Sequence, residues 1–236
     1  MHTKEQALRE LRARYQSCRS CSQTTVPGKM VWGHGSPDAR VMLIGEAPKR
    51  SDEFYGLPFS GASGRLLHHF LRISDIIPSY PDLSKDEAHK QALKDRMSEI
   101  YCTNLVLCYP LNIANPKLDR APSTLEITSC QQRLWEEIYI VDPLVIILAG
   151  NVPLHALIPG KFNIHTLVGE ALTLSIPGRV LPEVRYTAVP IYHPEYLLSS
   201  GDRRENGEMH KTAKIILNIW RRLDDFENLR STHANH

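Results

Sequence analysis

The sequence predicts an α/β fold, a three-layer α/β/α sandwich around a central, mainly parallel four-stranded sheet. Apolar runs predict the strands at residues 41–44, 100–107, 144–149 and 186–191. Segments with apolar residues at helical spacing alternate with these runs. The run from Leu144 to Ala149 is apolar at every position, which is typical of a strand buried inside a parallel sheet. Strands that alternate with helices form a parallel sheet covered on both faces.

Helices are predicted at residues 4–16, 62–73, 85–98, 123–140, 152–157 and 208–223. The fourth of these begins with Ser123 and has Glu126 three residues later, which is the pattern of a capping box. A hairpin is expected across residues 171–185, with its turn at Pro177 and Gly178. With 236 residues and 42% hydrophobic content, the chain can bury one large core, and we expect a single domain over residues 1–236.

Composition indicates where in the cell the protein is expected, but it does not indicate what the protein does. The sequence has no run of eighteen apolar residues and begins with polar residues, so we expect a cytoplasmic protein that does not contact a membrane. We also expect a monomer. Five cysteines in that compartment are not expected to form disulfides. The net charge of +2 neither requires nor excludes nucleic acid as a partner.

Two short motifs follow the first and the last predicted strands. Gly45-Glu46-Ala47-Pro48 comes directly after the first apolar run, and Tyr192-His193-Pro194 comes directly after the last. Sites in open parallel sheets are built where the carboxyl ends of the strands meet. A carboxylate and an imidazole at that edge can act on one bound group.

Four of the five cysteines have the spacing of metal ligands. Cys18 and Cys21 form a C-x-x-C pair, and Cys108 and Cys130 follow much later in the chain. Four thiolates suit either a zinc ion or a [4Fe-4S] cluster. Cys102 lies within a predicted strand and is expected to be buried and unligated.

Four motifs occur in a fixed order along the chain. They are Gly45-Glu46-Ala47-Pro48, Gly56-Leu57-Pro58-Phe59-Ser60-Gly61, Thr103-Asn104 and Tyr192-His193-Pro194. This ordered set, together with the four cysteines, resembles the iron-sulfur (family 4) uracil-DNA glycosylases from Cys18 to Trp220. The resemblance implies a [4Fe-4S] cluster rather than zinc, and DNA as the partner. It implies a glycosylase that flips out a pyrimidine, hydrolyses its N-glycosidic bond and leaves an abasic site.

The chemistry of base excision assigns roles to the motif residues. The bond breaks through an oxocarbenium-like sugar, so a carboxylate is needed to hold the attacking water, and Glu46 is the candidate. The base leaves as an anion and needs a hydrogen-bond donor, for which His193 is the candidate. Asp52 and Glu53 lie in the same loop as Glu46 and are possible substitutes for it. No lysine is placed as an evident Schiff-base nucleophile, so no lyase step is expected.

Base-binding residues are expected around these two groups: Gly45, Ala47, Phe59 and Asn104. The Asn104 amide offers both a donor and an acceptor to a pyrimidine edge, although a buried turn asparagine would have the same sequence context. Phe59 suits stacking on a flipped base, and a core phenylalanine is nearly as consistent with the sequence. Gly45 permits close approach of the backbone to a ligand.

Further substrate or DNA contacts are predicted around the pocket and in the last third of the chain. They are Lys49, Arg50, Asp52, Tyr196, Leu197, Leu198, Arg203, Arg204, Lys211 and Lys214. The cations suit phosphate contacts, and residues 196–198 suit a wedge that fills the gap left by a flipped base.

The chain departs from the family pattern in the loop after the first strand. Lys49 stands where the family usually has glycine, and Ser60 replaces a more usual valine. Uracil is the default substrate. A bulky modified cytosine, such as glucosylated hydroxymethylcytosine of phage DNA excised in antiviral defence, is the alternative that Lys49 and Arg50 suggest. A non-catalytic iron-sulfur DNA-binding module and a zinc-bearing hydrolase of nucleotides are further alternatives.

Overall fold

A six-stranded sheet lies at the centre of the fold. The computed structural model describes residues 3–21, 30–73, 100–112, 114–115, 118–177, 184–202, 204–205 and 207–233. Its strands are β1 (His34–Gly35), β2 (Val41–Gly45), β3 (Tyr101–Asn104), β4 (Val145–Ala149), β5 (Leu172–Ile176) and β6 (Val184–Ile191). They lie in the order β1-β3-β2-β4-β6-β5.

The four inner strands are parallel, as predicted, and the two outer strands are antiparallel to their neighbours. The predicted count of four strands was too low because β1 has two residues, too few for a recognisable pattern. The other added strand, β5, is the first arm of the expected hairpin. The second arm is β6, which contains the strand predicted at 186–191. Part of the expected turn, from Gly178 onward, lies outside the described residues.

Nine helices occur in the described part of the chain. They are α1 (Lys4–Tyr15), α2 (Arg50–Tyr55), α3 (Ala62–Ile73), α4 (Thr124–Val141), α5 (Asn151–Leu157), α6 (Ile164–Leu167), α7 (Pro194–Ser200), α8 (Glu208–Arg221) and α9 (Leu223–His233). The capping box of α4 is confirmed, since Ser123 Oγ accepts from Glu126 N at 3.3 Å and the Glu126 carboxylate accepts from Ser123 N at 2.6 Å. The helix predicted at 208–223 is α8, which ends at Arg221, and a further helix, α9, follows it from Leu223. The helix predicted at 85–98 lies outside the described residues.

Apolar residues of the inner strands form the core. Every residue of β2 and of β4 is buried, as expected for strands covered on both faces. Helix α1 packs against α4, and α3 packs against α7 and α8. Among the described residues, no helix is long and apolar enough to cross a membrane. This architecture is an α/β/α sandwich, and it leaves the carboxyl ends of β2, β3 and β6 at one edge.

Candidate active site

A pocket of about 200 Å³ opens at the carboxyl edge of the parallel strands. Seven candidate site residues from the sequence analysis line it: Ala47, Lys49, Asp52, Phe59, Asn104, His193 and Leu198. They come from the segment after β2, from α2, from the loop before α3, from the end of β3, and from α7 and its N-cap. The volume is below the range of pockets that hold drug-sized ligands, so it suits one small ring.

Gly45 brings two of these side chains together. It pairs with Asn104 in the parallel register of β2 and β3. A Cβ atom on Gly45 would lie 2.3 Å from Asn104 Oδ1 and 2.6 Å from Phe59 Cζ. Both distances are far below van der Waals contact, so only glycine permits this packing. Gly45 therefore has a steric reason to be glycine that does not depend on a ligand.

The Asn104 side chain presents an unused donor to the pocket. Asn104 is 3% exposed, and its Nδ2 atom has no hydrogen-bond partner among the described residues. A buried donor without a partner costs about 1–3 kcal/mol. Such groups are rare in folded proteins and call for an explanation. A ligand that accepts a hydrogen bond from Nδ2 would supply one.

The loop that carries Phe59 is held by Asp52. Its carboxylate accepts hydrogen bonds from Lys49 N (2.9 Å), Ser60 N (2.7 Å) and Ser60 Oγ (2.8 Å). Phe59 itself has a φ of 55°, a left-handed conformation that is uncommon outside glycine. Three protein donors engage the carboxylate, so Asp52 organises this loop. Ser60 supplies two of them, its backbone N–H and its hydroxyl.

His193 is held as a neutral donor. It is the N-cap of α7, and its Nδ1 accepts from Glu195 N at 3.2 Å. Burial lowers the pKa of His193 to about 4, with Lys49 acting in the same direction and Glu195 opposing. Because Nδ1 accepts, the proton of the neutral ring is on Nε2. The pocket therefore contains an uncharged N–H donor at neutral pH.

Glu46 is partly buried just before the pocket-lining Ala47. Burial raises the pKa of the Glu46 carboxyl, the charge of Lys49 lowers it, and Glu195 raises it. Its own side chain does not line the pocket. Lys49 Nζ lies 3.1 Å from Glu195 Oε2 and 3.6 Å from Asp119 Oδ2. Asp119 and Glu195, which the sequence analysis did not single out, line the pocket with Lys49.

Of the other predicted substrate or DNA contacts, some line the pocket and some do not. The Arg50 guanidinium stacks on the Tyr109 ring, 5.6 Å from its centroid, and does not line the pocket. Leu197 is fully buried, whereas Leu198 is 42% exposed and forms part of the pocket wall. Tyr196 is also exposed, and its hydroxyl donates to Glu208 Oε1 at 3.0 Å.

The predicted phosphate contacts are on the surface. Arg204 is exposed but ion-paired with Asp202, with Nε 2.9 Å from Oδ1. Lys211 and Lys214 are exposed on α8. Arg203 lies outside the described residues.

Three of the candidate metal ligands affect the pKa of the fourth, Cys108. Burial raises the pKa of the Cys108 thiol to about 12, and the charges of Cys130, Cys21 and Cys18 add to the rise. None of these four cysteines is in a disulfide in the described part of the chain, and all four are partly buried, whereas Cys102 is fully buried in β3. Within the described residues, no group of three or more His, Cys, Asp or Glu is arranged to hold a metal ion. The charge effect of three thiols on the fourth indicates that these cysteines lie in one region, which is the donor set that a cysteine-ligated metal site requires.

A buried ion pair lies next to Asn104, and no sequence pattern indicated that it would be functional or buried. Arg133 and Glu137 on α4 are each 1% exposed, with Arg133 Nη1 2.6 Å from Glu137 Oε2. Arg133 Nη2 donates to the carbonyl oxygens of Asn104 (3.0 Å) and Leu105 (2.8 Å). Opposite charges four residues apart usually mark an exposed helix face, so the sequence pattern gives no indication of burial.

An amide, an aromatic ring and a neutral imidazole line one small pocket. These groups can bind a planar base by its edge and face while the bond to its sugar breaks. The fold and this pocket identify the protein as a DNA glycosylase.

The chain belongs to the uracil DNA glycosylase superfamily, whose family model matches residues 32–224. It is similar to the type-4 uracil-DNA glycosylase of Thermotoga maritima, at 26% identity over 98% of this chain and 97% of the relative. It is similar to the type-4 enzyme of Archaeoglobus fulgidus, at 28% identity over 81% and 83% of the two chains. The type-4 enzyme of Pyrobaculum aerophilum is 28% identical over 89% and 92%.

The lowered pKa of His193 makes stability depend on pH. Between its folded value of about 4 and its usual value of 6.5, the unfolded chain binds a proton that the folded chain does not. The free energy of unfolding therefore falls on acidification through this window, by up to about 1.4 kcal/mol per pH unit. We expect His193→Asn, which keeps an N-cap side chain, to lose less stability than wild type between pH 7 and pH 5 in urea denaturation. Exposed His210→Asn should follow wild type, and a wild-type slope in His193→Asn would contradict the assignment.

Proposed function

We propose that this protein excises uracil from DNA by hydrolysing the N-glycosidic bond, without a lyase step. The observation that carries the proposal is the meeting of Asn104, Phe59 and His193 in one pocket sized for a single ring. The type-4 relatives, which are named as uracil-DNA glycosylases, support the same substrate.

Recognition would use the face and the edge of the base. A uracil flipped out of the stack would lie against Phe59 and present its edge to the Asn104 amide. Nδ2 would donate to a uracil carbonyl oxygen, and Oδ1 would accept from the ring N–H. Cytosine presents an amino group and an unprotonated nitrogen at that edge, so the amide would reject it as oriented. The unpartnered Nδ2 favours this role over that of a buried turn asparagine.

Bond cleavage would be divided between His193 and Glu46. The Nε2–H of neutral His193 would donate to a carbonyl oxygen of the base as negative charge develops there. A neutral donor suits this step because the departing anion needs stabilisation and not an irreversible protonation. Glu46, as the carboxylate, would hold the water that attacks the sugar.

A [4Fe-4S] cluster held by Cys18, Cys21, Cys108 and Cys130 is part of the proposal. When bound, the cluster would supply structural cross-linking and no redox step. The chain's own thiols would tie the segment after α1 to the strand exit after β3 and to α4. Keeping such thiols reduced favours an intracellular location, and we propose that the enzyme acts there on DNA as a monomer.

The structure gives no support to a bulky modified cytosine as substrate or to antiviral excision. The pocket has room for one ring, Arg50 lies outside it, and Lys49 is engaged by two carboxylates. The Lys49 ammonium also faces acidic groups that would compete with a substrate oxygen. Membership of a DNA glycosylase family likewise gives no support to a non-catalytic DNA-binding module or a nucleotide hydrolase.

Base-release mass spectrometry tests the proposal. The protein, purified without oxygen, is incubated with matched duplex and single-stranded DNA containing uracil, thymine or glucosylated hydroxymethylcytosine. We expect free uracil and abasic DNA, and no release of the other two bases. Release of the modified cytosine without uracil, or of no base at all, would refute the proposed substrate.

The two catalytic candidates can be tested separately from DNA binding. Under single-turnover conditions, Glu46→Ala should slow uracil release by about a hundredfold or more, because the water loses its acceptor. His193→Ala should cost about 3 kcal/mol of transition-state stabilisation, a similar factor. Both variants should bind uracil-containing DNA. Glu53→Ala and His210→Ala are matched controls and should stay near wild type. Near-wild-type rates in both site variants would show that the reacting groups lie elsewhere.

The cysteine assignment predicts a visible cofactor. Anaerobically purified protein should be brown and contain about four irons per chain. Cys108→Ser should lose the colour or become insoluble, whereas Cys102→Ser should keep it. A colourless protein with one zinc would overturn the cluster, and loss of colour in both variants would remove the distinction between them.

Lys49 should set the pH range of the reaction. Its charge lowers the pKa of Glu46, so Lys49→Met should raise that pKa and move the acid limb of the pH–rate profile to higher pH. Activity at alkaline pH should change little. Arg50→Met, in the same loop but outside the pocket, should leave the profile unchanged. Equal loss of activity at every pH would instead indicate a phosphate contact, which should also weaken with salt.

A further inference from the structure

We propose that Arg133 is a positioning residue for base recognition, which fixes the strand end that carries Asn104. The inference deepens the proposed function and rests on it. Arg133 is not proposed to touch the substrate or the cofactor. It acts through the backbone of Asn104.

The guanidinium of Arg133 holds the exit of β3. Strand β3 ends at Asn104, and the next carbonyl is that of Leu105. Arg133 Nη2 donates to both of these carbonyl oxygens, at 3.0 and 2.8 Å. On the other side, Leu105 N donates to Gly45 O at 2.9 Å. The backbone of residues 104–105 is therefore held from α4 and from β2 at once.

Glu137 keeps Arg133 in place. Its carboxylate accepts from Arg133 Nη1 at 2.6 Å, from Tyr101 OH at 2.8 Å and from Thr103 Oγ1 at 2.9 Å. Tyr101 and Thr103 belong to the same strand as Asn104. A buried ion pair is stable only when such additional hydrogen bonds satisfy its charges. Here those bonds all go to β3 and its exit, so the pair aligns one strand end.

The Asn104 side chain needs this support. Its Nδ2 atom has no partner in the described part of the chain, so protein contacts at that atom do not orient the amide. The direction of the amide must then follow from the backbone and from packing against Gly45 and Phe59. A shift of about 1 Å in a positioned group can cost on the order of a hundredfold in rate. Holding the two carbonyls is therefore a means of holding the amide.

The test compares two binding reactions of the intact, cluster-containing protein. Free uracil, measured as a product inhibitor, reports the Asn104 amide. Duplex DNA with an abasic site, measured by fluorescence anisotropy, reports the DNA-binding surface without the base. The main variant is R133M/E137Q, which removes both charges while the new side-chain amide can still accept from one of the Tyr101 and Thr103 hydroxyls and donate to the other. R133K keeps the charge, but a lysine cannot reproduce the planar fork that joins Glu137 to the two carbonyls.

We expect uracil to inhibit R133M/E137Q about tenfold to a hundredfold more weakly than wild type, and we expect this variant to bind abasic DNA as wild type does. R133K should fall between the two. The R14M/E136Q pair, which removes an ion pair on the α1 side of the same helix, should match wild type in both assays. Iron content and melting temperature are measured for every variant.

Unchanged uracil inhibition in a folded R133M/E137Q protein would overturn the proposal. Parallel loss of uracil and abasic-DNA binding would also overturn it, because a merely structural role predicts that result. If the double variant does not fold, R133K decides alone on the same two readouts. A wild-type enzyme that neither releases uracil nor is inhibited by it would refute the proposed function, which separates that failure from failure of the inference.

Discussion

The parallel pairing of Gly45 with Asn104 is the constraint on which the site depends. It places the first and third motifs side by side at one strand edge, with no room for a Cβ atom between them and Phe59. The hydrogen bonds of Asp52 hold the loop from the β2 side, and Arg133 holds the exit of β3. A small pocket with a buried, unpartnered amide is the result of these close approaches.

Burial then sets the protonation states that the proposed chemistry needs. The same desolvation that favours a neutral His193 also raises the pKa of Glu46, which works against its ionisation. Lys49 compensates, since its positive charge lowers both pKa values. Glu195 and Asp119 hold the ammonium in place. In the proposed mechanism Lys49 therefore has an electrostatic role, whereas the sequence suggested that it reads the base.

Sequence reasoning identified the parts of this molecule that rest on local patterns. Four inner strands, the Ser123 capping box and seven lining residues of the pocket were predictable, because apolar runs, cap chemistry and strand-end motifs are local signals. The edge strand β1 was not predictable, because a strand of two residues is too short to show an alternation of apolar and polar residues. Arg133 and Glu137 look like a solvated i,i+4 pair, and only tertiary packing buries them. Leu197 and Leu198 are neighbours with opposite exposure, which depends on the packing of α7 and cannot be read from the residue types.

A crystal structure of the cluster-containing protein with free uracil would test the central claim most directly. We expect uracil in the pocket against Phe59, with its edge hydrogen-bonded to the Asn104 amide. A uracil carbonyl oxygen should lie within about 2.7–3.2 Å of His193 Nε2. A uracil bound at another edge of the sheet, or a base in this pocket whose oxygens face away from His193, would contradict the account.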